Sequence, residues 1–182
     1  MGLCEKSNRI PNHACSLVFG LLSLTLLAGC KPSESKDAGA PVLSADAQRQ
    51  ADLAALPQTA GSLQEAMAAE MLARPQDTST LEGIIQRVGK DVAFAAPRQL
   101  YGRKMLALYC GGVDSLDGLI ITVCEYAGEA QAKRGQIEGN TVNSMLPGHQ
   151  SRVHKKSVLF LVSRSDTPAD SVAKVLSAFD AQ

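Results

Sequence analysis

Two cysteines, two histidines and a short basic run are the side chains whose type and spacing could do chemistry in this sequence. Cys110 and Cys124 lie in stretches rich in strand formers, residues 105–110 (MLALYC) and 119–126 (LIITVCEY), around a turn-rich GGVDSLDG. Folding that hairpin about Asp117 sets position 110 opposite 124, with both side chains on one sheet face. Cross-strand Cβ atoms about 4.5–5.5 Å apart would then have to close to about 3.8 Å for a disulfide. Such a bridge closes a loop of about 15 residues and contributes roughly 3 kcal/mol in the chain-entropy model. Two buried small apolar side chains are the alternative. A redox-active pair is a third reading, but there is no CxxC and nothing that marks a depressed thiol pKa.

The other chemistry-bearing residues carry weaker signals. His149 and His154, in GHQSRVHKK, are two histidines only, and a zinc shell would need ligands from elsewhere. They read as a loop histidine and a histidine at the start of a strand. Arg152, His154 and Lys156 alternate, so an extended strand projects them to one side, and with Lys155 they form a basic rim. That rim suits anionic head groups or an acidic partner, and equally a charged strand end that discourages aggregation. Residues 114–118 (DSLDG) lack the oxygen spacing and distal glutamate of a calcium loop and read as a turn. Gly111-Gly112 is not followed by the lysine and Ser/Thr of a phosphate loop, and no GxSxG occurs. Tyr101, Tyr109 and Tyr126 read as core and rim. No pattern calls for a metal or a cofactor, and zero formal net charge argues against nucleic acid as a partner.

The N-terminus directs the chain. Lys6 and Arg9 precede an apolar run, residues 14–27 (ACSLVFGLLSLTLL), and then the small residues Ala28 and Gly29. As a helix, residues 14–28 would reach about 22 Å, short of the roughly 30 Å hydrocarbon core, so a signal peptide is favoured over a membrane span. Leu27-Ala28-Gly29-Cys30, placed after that run, resembles the lipobox of bacterial lipoprotein precursors. The resemblance covers only about the first 30 residues. It implies cleavage between Gly29 and Cys30, diacylation of the Cys30 sulfur, and a membrane as the first partner. Two or three acyl chains make a stable anchor where one is marginal. Lys31, rather than aspartate, after the cysteine implies the outer membrane, facing the periplasm. An ordinary secretory signal with a fortuitous cysteine is the alternative. With Cys4 and Cys15 removed and Cys30 lipidated, Cys110 and Cys124 remain as an even pair in an oxidising compartment, which favours the disulfide.

The elements that must position these residues follow from periodicity. Residues 1–29 are the signal, and residues 30–61 form a polar tether with a weak alanine-rich helix anchored by Leu53 and Leu56. A single domain spans residues 62–182. Ser62 and Glu65 make a capping box, with Leu63, Met67 and Met71 at helical spacing and Arg74-Pro75 as the stop. A second box, Ser79 to Glu82, opens the stripe Leu81, Ile84, Ile85 and Val88, ended by Gly89. Residues 127–138 read as a helix with a Glu129–Lys133 pair, and residues 157–163 (SVLFLVS) as a strand buried on both faces. Thr167 as N-cap with Pro168 at the first helical position opens a final helix carrying Val172, Val175, Leu176 and Phe179. The fold expected is α+β: an antiparallel or mixed sheet of three to four strands with helices on one face. The order strand, strand, helix, strand resembles part of a ferredoxin-like arrangement. Residues 91–96 are a candidate edge strand.

The expected function is a lipid-anchored envelope module that binds a ligand or an envelope protein partner without catalysing a reaction. The alternatives are a redox or enzyme-accessory protein using Cys110 and Cys124, or a solute-binding lipoprotein with a concave apolar pocket.

Overall fold

The computed structural model describes residues 43–58 and 61–182. Gly29, Cys30 and Lys31, on which the signal and lipidation readings rest, lie outside the described residues. No described helix is long and apolar enough to cross a membrane. The elements are α1 (Ala45–Ala55), α2 (Leu63–Leu72), α3 (Leu81–Val88), β1 (Arg98–Leu100), a 3₁₀ turn (Gly102–Met105), β2 (Tyr109–Asp114), β3 (Leu119–Glu125), α4 (Glu129–Asn143), β4 (His149–His154), β5 (Ser157–Ser163) and α5 (Ala169–Asp180).

The α+β class stands, but the sheet has five strands among the described residues, all antiparallel, in the order β1-β2-β3-β5-β4. The two additional strands come from short polar segments. β1 is only three residues long, and β4 (His149–His154) lies within GHQSRVHKK, which alternates like a strand but has no apolar run, with Lys155 and Lys156 in the turn that follows. Residues 91–96 contribute a single bridge, Phe94 to Ser115, in place of an edge strand. β5 lies between β3 and β4, so β3, α4 and β4 make a split βαβ unit.

The helices cover both faces, not one. Leu119, Ile121 and Val123 of β3 and Leu159 and Leu161 of β5 pack against Leu81, Ile84 and Val88 of α3 and Val175, Ala178 and Phe179 of α5. The opposite parity, Cys124, Val158 and Phe160, packs with Tyr126 and Ala132 beneath α4. The reason was present in residues 157–161 of β5. A continuous apolar run with every residue buried requires cover on each side of the sheet.

Local signals were followed closely in some places and displaced in others. The Ser62 capping box forms both bonds, with Glu65 N donating to Ser62 Oγ at 3.3 Å and Ser62 N donating to Glu65 Oε2 at 2.7 Å. The second cap is Thr80, not Ser79: Gly83 N donates to Thr80 Oγ1 at 3.0 Å. Ser79 is drawn inside, where its hydroxyl donates to the Phe179 carbonyl. Pro168, not Thr167, caps α5, and Thr167 Oγ1 closes the preceding turn by accepting from Arg164 N. The first expected strand is displaced from residues 105–110 to Tyr109–Asp114. Leu106 and Ala107 are buried and Met105 partly buried from a turn, with Leu106 at φ 57°. Glu70 holds that turn by accepting from Gly102 N and Arg103 N, both at 3.0 Å.

Candidate functional site

α4 lies over β4 and β5, while the 3₁₀ turn lies against β2 and touches α4. Beside that contact, at the C-terminal end of α4, a cleft of about 360 Å³ remains. Its floor is Cys110, Thr122 and Phe160; Leu100 and Met105 form one wall and Val142 the other. Tyr101, Lys104 and Asn143 bring polar groups to an otherwise apolar lining. Two glycines set the far wall. A Cβ at Gly135 would stand 2.2–2.3 Å from the Tyr126 ring and hydroxyl, and one at Gly139 would stand 2.3 Å from the Phe160 ring. Glycine therefore lets α4 approach the sheet closely. Tyr126, fully buried, donates its hydroxyl to the Met105 carbonyl at 3.0 Å and ties the 3₁₀ turn to the same wall. Burial pushes its phenol pKa upward.

Cys110 and Cys124 are joined in a disulfide across β2 and β3, with an S–S distance of 2.02 Å and Cα atoms 4.1 Å apart. They are 1% and 0% exposed, so the bridge is a buried strut beneath the cleft.

A second concavity, about 590 Å³, lies between α1 and α4. Leu43, Leu106 and Ile137 line it, and its charged groups are already matched. Arg134 Nε meets Asp52 Oδ2 at 2.6 Å, and Arg49 Nε meets Glu138 Oε1 at 3.0 Å. The hydrogen bond from Arg134 holds the Asp52 carboxyl below its usual pKa, against the opposing effect of burial.

On the opposite sheet face, Glu125 is wholly buried at the end of β3. Arg74 reaches it through Nε and Nη2, Thr78 donates to it at 3.0 Å, and Arg74 also forks onto Glu82. The guanidinium lies 4.3 Å from the centroid of the Tyr109 ring. Burial opposes the charge of Arg74, but its bonds to Glu82 and Glu125 outweigh that and raise its pKa; the same bonds lower that of Glu82. This cluster fastens the α2–α3 connection to the sheet. Sequence spacing gave no sign of the Arg74–Glu125 partnership, since the residues lie 51 positions apart. One signal was available: Glu125 shares strand parity with Leu119, Ile121 and Val123, which marks it as inward-facing.

The remaining candidates are separated by the fold. His149 stacks near Phe160, with ring centroids 6.4 Å apart, whereas His154 meets Phe179 edge-on at 6.0 Å on the other face. A spacing of five in a strand gives opposite parity, so the two cannot share a ligand. Among the described residues no group of three metal-ligating side chains converges. Arg152 pairs with Asp180, and Lys155 donates to the Gln182 carbonyl, so these two cations sit at the carbonyl end of α5, where a helix favours positive charge. Lys156 occupies the adjoining turn. Asp117 accepts from the Ser115 hydroxyl and, at 2.5 Å, from that of Ser171, which ties the β2–β3 loop to α5. No family model, curated protein or solved structure matches this chain.

Proposed function

We propose that this chain is a lipid-anchored envelope protein whose α+β domain binds a ligand or partner rather than catalysing a reaction. The anchor rests on the lipobox-like residues 27–30, with acylation at Cys30 and the outer membrane indicated by Lys31. The observation that carries the binding reading is the cleft at the C-terminal end of α4, beside the 3₁₀ turn. A cleft of about 360 Å³ lies within the roughly 300–1,000 Å³ range of small-molecule sites, and its apolar floor carries few polar groups, as such sites do. The side chains that invited a catalytic reading serve the fold: Cys110 and Cys124 as a buried bridge, and His149 and His154 on opposite faces. Burial of both sulfurs speaks against the redox alternative.

Two measurements test this reading. Mass spectrometry of the mature N-terminus should find residue 30 first and acylated, and Cys30→Ser should release the chain from membranes. Chain isolated gently from native membranes should carry a small apolar compound or a bound envelope protein, and Val142→Arg in the cleft wall should displace it. A chain that arrives free of both would remove the support for a binding role.

A further inference from the structure

We infer that the cleft takes a single-chain aliphatic carboxylate, with Lys104 receiving its anionic head. This inference rests on the cleft being a ligand site, and it adds the chemical class of the ligand. Of the described residues that line the cleft, Lys104 alone is formally charged. Among the described residues it enters no ion pair, whereas both arginines of the groove under α1 are matched by carboxylates. An exposed cation at the edge of an apolar concavity recognises the reverse pattern, an apolar body with one negative end. One lysine is a point charge that matches one carboxylate; a phosphate monoester carries nearly twice the charge and would call for a second cation. Tyr101 and Asn143, in the same lining, add neutral donors of the kind that complete a carboxylate's hydrogen bonds. The volume sits at the small end for ligand sites, which favours one chain over a two-chain lipid. The apolar surface also continues outward: Val142 is 68% and Met145 93% exposed, a ledge along which a tail longer than the cleft can lie.

The test is photo-crosslinking of the full chain in its native membranes with diazirine-bearing dodecanoate, and in parallel with the matching diazirine dodecanol, followed by peptide mapping. The dodecanoate probe should label peptides containing residues 100–105 or Val142, and excess dodecanoate should compete far better than 1-dodecanol. Lys104→Ala should lower labelling by dodecanoate about tenfold, as expected for loss of a charge-assisted contact, and leave labelling by dodecanol unchanged. Lys104→Arg should retain the preference. Val142→Arg should suppress both labels, while Ile137→Arg, in the neighbouring groove, should suppress neither. Equal labelling by the two probes, indifferent to Lys104→Ala, would overturn the carboxylate assignment and leave the cleft standing as a ligand site. Absence of label from the cleft, or label removed by Ile137→Arg and not by Val142→Arg, would overturn both.

Discussion

Arg74 and Glu125 meet through contacts of 2.6, 2.9 and 3.0 Å, with the carboxylate wholly buried and the guanidinium shared with Glu82. The two ends of this pair are not equivalent. Arg74→Ala strands a buried negative charge and should destabilise the domain by about 3–5 kcal/mol. Glu125→Gln leaves Arg74 its Glu82 partner and should cost less. Arg74→Lys should not rescue, because an ammonium cannot fork onto two carboxylates while stacking on Tyr109. Urea unfolding of the three variants gives the ranking; a loss below about 1 kcal/mol for Arg74→Ala would place the cluster among weak surface pairs.

The Cys110–Cys124 bridge closes a short loop between adjacent strands. Replacing both cysteines by serine should lower stability by roughly 3 kcal/mol while the far-UV circular dichroism spectrum is retained. Reduction of the wild-type protein should add one hydrogen per sulfur to the intact mass, and only slowly unless denaturant is present, since both sulfurs are buried. Two thiols that alkylate freely in native protein taken from the envelope would contradict the bridge.

Gly139→Ala sets two effects against each other. Alanine gains about 1 kcal/mol of helix propensity over glycine, whereas forcing a methyl into a filled space costs about 1–3 kcal/mol. A Cβ there would stand 2.3 Å from the Phe160 ring, so the steric effect should win and the melting temperature should fall. Gly128, which caps α4 without a side-chain bond and has open space around it, provides the contrast. Gly128→Asp should be neutral to stabilising by a few tenths of a kcal/mol.

α1 is held to α4 through Asp52–Arg134 and Arg49–Glu138. The Asp52 pKa is lowered in the folded chain, so its contribution is present above the unfolded value near 4 and is lost as pH falls through the lower native value. Amide hydrogen exchange should show α1 losing protection on acidification below about pH 4 before the sheet does. Asp52→Asn should reproduce that loss at neutral pH. Simultaneous loss of α1 and sheet protection would show that α1 unfolds only with the core.

Much of the fold was legible because the signals were local. The Ser62 box, the Leu81–Val88 stripe and the α5 stripe each depend on residues within two turns of one another, and each formed with at most a one-residue shift of its cap. The 110–124 register could be read because a hairpin pairs residues symmetrically about its turn. The displacement of β2 could not. Residues 105–107 look like strand, but Glu70, more than thirty positions upstream, captures the Gly102 and Arg103 amides and holds a turn there. Gly111 and Gly112, poor strand formers alone, are held by pairing on both sides and by the approach of Leu81 and Leu100.

The sequence alone was enough to set Cys110 opposite Cys124, to mark β5 as buried on both faces, and to specify an α+β domain, because each depends on local period, composition and turn chemistry. Only the tertiary structure decided that α3 and α5 cover one face and α4 the other, that β4 completes the sheet, and that a cleft remains beside Lys104. Those outcomes depend on which distant surfaces pack together, and packing energy belongs to no single stretch of the chain.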